Sequence, residues 1–184
     1  TSLMDAHMNY YKNDREAYFS DKANIYRNQT EYDVLIASPQ AASEILKRDT
    51  KVDIVVPEDI HFDMKLIGEH NQVAARLTYE VAVQCGLGDD EIHEAIATFA
   101  PVEGRLEDLG LFGEKHVRVF NDNNATTGDA TIAAIKAINE TYNKKPIIIF
   151  GGADKGLPLE VLESEVTEHT KLYILLEGTG TTRL

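Results

Sequence analysis

Residues 117–131, VRVFNDNNATTGDAT, pass from a short apolar run to a dense polar turn and then to a segment with helical periodicity. The valines and the phenylalanine within 117–120 favour a β-strand, whereas the polar residues 121–124 are typical of a turn. Thr126 or Thr127 is suited to cap the helix that follows. The stretch therefore predicts a strand, a loop and a helix N-terminus, and in an open α/β sheet such a loop lies at the edge where ligands bind.

A second loop of the same kind follows the next apolar run. Residues 146–150, PIIIF, do not alternate with polar residues, which is typical of a strand buried on both faces. Residues 151–156, GGADKG, begin with two glycines that let the backbone approach a ligand closely, and Lys155 offers a positive charge to a carboxylate or a phosphate. We expect Asp122, Thr126 and Lys155 to face one crevice. The alternative is that the polar residues cap a helix and that Lys155 is simply solvated.

The remaining segments alternate between strands and helices, which predicts an α/β fold with parallel strands. Residues 101–104, PVEG, interrupt the helical periodicity and are the best candidate for a domain boundary or hinge. The predicted helices cover 14–28, 39–46, 70–84, a segment that begins at Asp89 or Asp90, and 158–165; the predicted strands cover 33–38, 52–56, 105–112, 116–120 and 172–176, with a turn near Gly113.

The composition is that of an acidic globular chain. There are 18 Lys and Arg against 31 Asp and Glu, a formal net charge of −13, which argues against nucleic acid and anionic lipid as partners. No apolar run approaches the roughly 20 residues of a membrane-spanning helix, so we expect no membrane insertion. The single cysteine, Cys85, excludes a disulfide framework and a four-cysteine zinc site. We expect Cys85 to fill the core of a protein of the reducing cytoplasm.

Both ends of the sequence look truncated. Leu3 and Met4 resemble the tail of a strand whose neighbours are absent, and residues 178–184, GTGTTRL, form a turn that normally leads into a helix. We therefore expect these 184 residues to be a fragment of a longer protein.

Three charged residues outside the two loops have ordinary structural interpretations when each is considered alone. Arg105, directly after the predicted hinge, is more often part of a surface ion pair. A histidine such as His7 is usually a cap, and a helical lysine such as Lys22 is usually solvated. The spacing of the His, Cys, Asp and Glu residues gives no metal signature.

Taken together and in order, five segments resemble the Mur ligases of peptidoglycan precursor synthesis. They are HMNYYKNDREAYFSDKANIY, GEHN, GRLE, NDNNATTGDAT and GGADKG. The resemblance spans nearly the whole chain and is closest to the branch that adds D-glutamate to UDP-N-acetylmuramoyl-L-alanine, because ND-x-x-AT and GG-x-DK separate that branch from its siblings. It implies that residues 1–101 are the end of a central P-loop-type ATPase domain and that residues 102–184 are most of a Rossmann-like C-terminal domain.

The resemblance also implies a metal site. His7 matches the histidine of the family's magnesium site, and Lys22 matches the lysine that becomes carbamylated. A partly buried lysine is more easily neutral, only the neutral amine attacks CO₂, and the carbamate offers the oxygen ligands that Mg²⁺ prefers. Because histidine is a softer ligand, Mn²⁺ is the alternative metal.

The resemblance implies that five residues bind ATP or D-glutamate. Asn71 resembles the asparagine on the adenine side of ATP. Arg105 resembles the hinge arginine that contacts the ATP phosphates. The resemblance implies a catalytic role for both Arg105 and Lys22. Asp122 resembles the aspartate that contacts the ribose of ATP. Thr126 and Lys155 are similar to the pair that holds the α-carboxylate of D-glutamate.

The sequence departs from the family pattern at two of these motifs. Asn124 stands where the family usually has a lysine, and Gly104 stands where a histidine commonly precedes the arginine. No phosphate loop of the form G-x-x-x-x-G-K-[ST] occurs in the sequence, which predicts that these residues alone do not turn over ATP.

The activity implied by the resemblance is ATP-dependent amide-bond formation through an acyl phosphate. The implied partners are UDP-N-acetylmuramoyl-L-alanine, D-glutamate and ATP, and we expect the full-length protein to be a cytoplasmic monomer. Asn124 keeps open a sibling ligase that uses another amino acid. It also keeps open a binding module that has the same fold but no catalytic activity.

Overall fold

The computed structural model contains short helices and strands that alternate along the chain. The residues that it describes are Leu3, Met8, 10–49 and 51–183. In chain order the elements are α1 (Arg15–Lys22), β1 (Leu35–Ile36), α2 (Pro39–Leu46), β2 (Ile54–Val55), α3 (Glu69–Gln84), α4 (Asp89–Thr98), β3 (Glu107–Phe112), β4 (Val117–Asn121), α5 (Gly128–Tyr142), β5 (Ile147–Gly151), α6 (Glu160–His169) and β6 (Leu172–Leu176).

The chain divides into two compact units. Unit 1 comprises residues 1–63 and 71–97, and unit 2 comprises residues 64–70 and 98–184. Within the described residues, no helix combines the length and the apolar character that crossing a bilayer requires.

The first half of unit 1 contains its helices and parallel strands in the order that the sequence predicts. Ser38 accepts a hydrogen bond from the Ala41 amide, and Pro39 occupies the first turn of α2, so the helix begins where a proline is tolerated. Strands β1 and β2 pair in parallel, which confirms the predicted parallel strands, although each pairs over two residues only. The buried side chains that hold these elements together are Phe19, Ala23, Tyr26, Leu35, Ala37, Ala41, Ala42 and Ile45.

The second half of unit 1 is centred on Phe62, which is 2% exposed. The Gln72 side chain of α3 satisfies both polar groups of the Phe62 backbone, accepting from its amide at 2.9 Å and donating to its carbonyl at 2.9 Å. The Phe62 ring lies 5.5 Å from that of Tyr79 and 5.0 Å from that of His93. These contacts pack α3 and α4 as a pair around one aromatic side chain.

Replacing Phe62 by alanine is expected to lower the free energy of unfolding by about 3–5 kcal/mol, because it leaves a cavity where the ring is fully enclosed. Urea unfolding followed by circular dichroism measures the change. The matched control is Phe99→Ala, since Phe99 is 52% exposed and its removal leaves no cavity. Equal losses in the two variants would contradict the central position of Phe62.

Unit 2 contains an antiparallel hairpin and a parallel strand pair. Strands β3 and β4 pair antiparallel around the turn at Gly113, as predicted, and β5 pairs in parallel with β6. Helices α5 and α6 pack on the β5 side chains Ile148 and Phe150 through Ile135, Leu162 and Val166.

Four predictions are corrected by the structure. Strand β5 is not buried on both faces, because the helices cover one face only and Ile147 and Ile149 are 57% and 62% exposed. Cys85 is exposed rather than in the core, since it lies beyond the end of α3. Helix α1 ends at Lys22 and continues as a 3₁₀ turn, and α6 begins at Glu160, two residues after the predicted proline start.

Candidate functional site

The segment after the predicted hinge is hydrogen-bonded to the polar turn after β4. The Leu106 amide donates to Asp122 Oδ1 at 2.8 Å, and the Asn121 amide group donates to Glu107 Oε2 at 3.2 Å. Leu106 holds a left-handed backbone with φ 46°, an unfavourable conformation for a leucine that this hydrogen bond helps to maintain. We call residues 103–107 and 121–124 the linked turns.

Arg105 extends from the linked turns into solvent. Its Nη1 donates to the backbone carbonyl of Asn124 at 3.1 Å, so the guanidinium is oriented by a neutral oxygen rather than by a carboxylate. The residue is exposed. This contact is not an ion pair, and the Arg105 charge also acts to lower the pKa of the nearby Asp122 carboxyl.

Asp122 and His70 form a partly enclosed electrostatic pair in unit 2. Burial raises the pKa of the Asp122 carboxyl, while the Leu106 amide, His70 and Arg105 act in the opposite direction. Burial of its ring lowers the pKa of His70, and the Asp122 charge opposes this. The ring lies close over Gly68, where a Cβ would be 2.9 Å from His70 Cε1. Both shifts favour uncharged forms, which is common in ligand sites.

The pKa of His70 tests this pair directly. We expect NMR titration of the imidazole to give a pKa below the ordinary histidine value. Asp122→Asn should lower the pKa further, because the carboxylate charge stabilises the imidazolium. Asp129→Asn, which removes an exposed carboxylate from the first turn of α5, is the control and should leave the titration unchanged. A rise in the His70 pKa on Asp122→Asn would contradict the assignment.

The loop that carries Lys155 is held in place by the end of the described chain. The Gly180 amide donates to the Gly152 carbonyl at 2.9 Å, and the Asp154 amide donates to Thr179 Oγ1 at 2.9 Å. Arg183 Nη1 lies 2.6 Å from Asp154 Oδ1. Lys155 itself is exposed, so the structure fixes the loop and leaves the ammonium group in solvent.

The two predicted ligand loops lie at the same end of the helix pair. Lys136 of α5 contacts Glu165 of α6 at 3.0 Å, Asn139 donates to the His169 carbonyl at 3.0 Å, and a Cβ on Gly128 would be 3.5 Å from Leu162 Cβ. Because these contacts advance in the same direction, α5 and α6 run parallel. Their N-termini, and the loops that precede them, are therefore at one end of unit 2.

The strand before the first loop forms the predicted hairpin but does not pair with the strand before the second loop. Strand β4 pairs antiparallel with β3, and within the described residues of unit 2 the parallel pair consists of β5 and β6. The loop after β4 is thus brought to the other loop by α5 and not by strand pairing. Thr127, not Thr126, caps α5 by accepting from the Ala130 amide at 3.3 Å, and Thr126 is exposed.

Of the three site residues predicted within residues 1–101, the structure describes Lys22 and Asn71. His7 lies outside the described residues. Lys22 is exposed, with its Nζ 5.5 Å from the centre of the Tyr18 ring, so the expectation of a partly buried amine is wrong. Asn71 is half-buried in the first turn of α3. No three His, Cys, Asp or Glu side chains gather as metal ligands within the residues described.

Comparison with curated proteins finds relatives along most of the chain. It is 31% identical over 179 residues to the UDP-N-acetylmuramoylalanine--D-glutamate ligase of Aquifex aeolicus and 33% identical over 184 residues to the ligase of the same name from Koribacter versatilis. The matches cover 89% and 85% of this chain. The chain belongs to the Mur ligase family. This Mur ligase chain spans 42% and 39% of the lengths of those two relatives.

The solved structures agree on the fold of this Mur ligase chain. MurF of Acinetobacter baumannii is similar with a TM-score of 0.67 over 95% of this chain and 49% of that chain, at 16% identity. The predicted α/β class and the family resemblance are confirmed. No family model matches the sequence.

Sequence reasoning did not identify the residues that support the two loops. Glu107 accepts from the Gly104 amide at 3.0 Å as well as from Asn121, and Thr179 and Arg183 hold the lysine loop. The available signal was the Gly and Thr content of residues 178–182, which indicates a tight turn but not its partner.

Proposed function

We propose that the intact protein, the complete natural polypeptide that contains these residues, is an ATP-dependent ligase that joins D-glutamate to UDP-N-acetylmuramoyl-L-alanine in peptidoglycan precursor synthesis. The names of the relatives support the substrate class. The observation that carries the proposal here is the pair of linked turns, in which the exposed Arg105 guanidinium lies near the half-buried Asp122 carboxyl. A phosphate group and a ribose hydroxyl are suited to these two side chains.

In the proposed reaction the alanyl carboxylate attacks the γ-phosphorus of ATP, and ADP leaves to give an acyl phosphate. The amine of D-glutamate then attacks the acyl carbon. The tetrahedral intermediate loses inorganic phosphate and a proton, and the amide remains. Positioning and neutralisation of charge are the protein's contribution to such phosphoryl and acyl transfer.

We assign the substrate contacts as follows. Asn71 binds adenine, Arg105 binds the phosphates and stabilises the charge of the transferred group, and Asp122 binds the ribose. Thr126 and Lys155 hold the α-carboxylate of D-glutamate. The exposure of Lys155 and the location of both loops at one end of α5 and α6 support the last assignment.

We propose that His7 and a carbamylated Lys22 hold Mg²⁺, with Mn²⁺ as the alternative. When bound, the cation supplies neutralisation of phosphate charge. Because Lys22 is exposed, its carbamylation is proposed from the family resemblance and not from burial of the amine. With ¹³C-bicarbonate, we expect a carbamate carbon signal in the NMR spectrum that is lost in Lys22→Arg and retained in Lys47→Arg, a control on another exposed lysine. A signal unchanged by Lys22→Arg would remove this role.

We further propose a domain boundary at Pro101, with residues 1–101 in a central ATPase domain and 102–184 in a Rossmann-like C-terminal domain. Closure about residues 102–105 would bring the amine to the acyl phosphate and keep water away from it. The complete protein would act as a cytoplasmic monomer. Because no phosphate loop occurs in the sequence, the isolated 184-residue chain is expected to release no phosphate from ATP.

Phosphate release by the intact protein, with UDP-N-acetylmuramoyl-L-alanine, ATP and a panel of amino acids, tests the function. Release that depends on D-glutamate supports the proposal. Release with a different amino acid indicates the sibling ligase, which the neutral Asn124 in place of the usual lysine keeps open. No metal-dependent ATP turnover with any amino acid indicates a binding module.

A further inference from the structure

Asn124 makes three contacts with the three residues that begin the linked turns. Its backbone amide donates to the Gly104 carbonyl at 3.1 Å, and its side-chain Nδ2 donates to the Glu103 carbonyl at 3.2 Å. Its own carbonyl accepts from Arg105 at 3.1 Å. The course of the backbone through residues 103–105 is therefore tied to a single residue of the opposite turn.

The absence of a side chain at Gly104 leaves room for the Asn124 side chain. The glycine is buried and has φ 70°, in the left-handed region. A Cβ at this position would lie 2.5 Å from Asn124 Nδ2 and 2.2 Å from Asn123 Oδ1. Any larger residue would strain the backbone and displace the Asn124 amide group from the Glu103 carbonyl.

These two positions are also the two at which the sequence departs from the family pattern, and the structure brings them into contact. A side chain larger than glycine at position 104 would not fit beside the Asn124 amide group as it is placed here. We propose that Gly104 and Asn124 form a coupled pair in which Asn124 is a positioning residue that fixes the direction of Arg105 toward the nucleotide phosphates. The proposal rests on the proposed role of Arg105 in ATP binding. In this arrangement Asn124 supplies no positive charge of its own, as the usual lysine would, and instead orients the charge of Arg105.

The first test is a double-mutant cycle on the thermal unfolding of the intact protein without ligand. Asn124→Ala removes the bond from Nδ2 to Glu103 and keeps both backbone contacts. It is expected to lower the unfolding midpoint by about 2–4 °C. In the Gly104→Ala background the same change should have less than half of this effect, because the amide group is already displaced. Additive effects would overturn the coupling. Asn28→Ala, which changes an exposed asparagine of unit 1 outside this cluster, is the matched control and should leave the midpoint unchanged.

The second test is nucleotide affinity, measured as the KM for ATP and as calorimetric binding of ATP with Mg²⁺. Asn124→Ala is expected to weaken ATP binding about three- to tenfold and to leave the KM for D-glutamate unchanged. Asn124→Gln, which keeps an amide donor, should recover part of the loss. Coupled unfolding with unchanged ATP affinity would overturn the positioning role. If the wild-type protein itself binds no ATP, the proposed function fails with it, whereas the unfolding cycle still reports on the contact.

Discussion

Replacing Lys155 by alanine in the intact protein is expected to raise the KM for D-glutamate about 10- to 100-fold and to change the KM for ATP little. A charge-assisted hydrogen bond to a carboxylate contributes about 1.5–3 kcal/mol, and each 1.4 kcal/mol corresponds to a factor of ten in affinity. Lys155 is exposed on a loop that Arg183 and Thr179 hold in place, so its loss should not disturb the fold. Steady-state kinetics with each substrate varied in turn measures both constants.

The control for Lys155 is Lys171→Ala. Lys171 is also exposed but precedes β6, at the opposite edge of the parallel strand pair from the loop. It should leave both KM values unchanged. Lys155→Arg keeps the charge and is expected to retain part of the affinity for D-glutamate, because a guanidinium differs from an ammonium in shape. Equal increases in the two KM values of Lys155→Ala would remove the role that we assign to this residue.

Replacing Asp122 by alanine is expected to have two effects. The KM for ATP should rise about tenfold, because the proposed contact with the ribose is lost. The free energy of unfolding should fall by about 1–3 kcal/mol, because the Leu106 amide loses its acceptor and Leu106 holds an unfavourable backbone. Asp122→Asn keeps an acceptor oxygen and should recover most of the stability. Kinetics and urea unfolding measure the two effects separately. A stability equal to that of the wild type in Asp122→Ala would show that this hydrogen bond is unimportant.

The pH dependence of stability distinguishes the charge of Asp122 from its hydrogen bond. Burial raises the pKa of this carboxyl, so the folded state binds the proton more tightly than the unfolded state does. The stability of the wild type relative to Asp122→Asn should therefore increase as the pH falls through the range just above the ordinary aspartate pKa. A difference that decreases over this range would contradict the sign of the shift.

Local sequence patterns predicted most of the helices and strands. Helix α2 begins and ends where proline and periodicity indicated, and the β3–β4 hairpin and β6 have the predicted places. The unalternating run of β5 misled the prediction of burial. Its apolar residues are compatible with a strand that is buried on both faces, whereas the helices of unit 2 cover only one face of β5. Burial depends on which elements pack together, and periodicity within a strand does not contain that information.

The sequence also predicted some features of the candidate site and not others. The residue types of the two loops indicated anion binding, and the order of the motifs indicated the family, which the comparisons confirm. The burial expected for Lys22 was wrong, because α1 leaves this side chain in solvent. The roles of the named site residues stay predictions until the kinetic experiments are done.

The sequence by itself determined the order of the elements, the two polar loops and the acidic charge, because capping, turn chemistry and periodicity act between residues that are close in the chain. The tertiary structure alone decided that Gly104 contacts Asn124 and that Arg183 holds the lysine loop. These contacts join residues about 20 and about 30 positions apart, and they depend on the left-handed backbone at Gly104 and on the parallel pairing of β5 with β6. Such geometry results from the packing of whole elements, which no short stretch of sequence specifies.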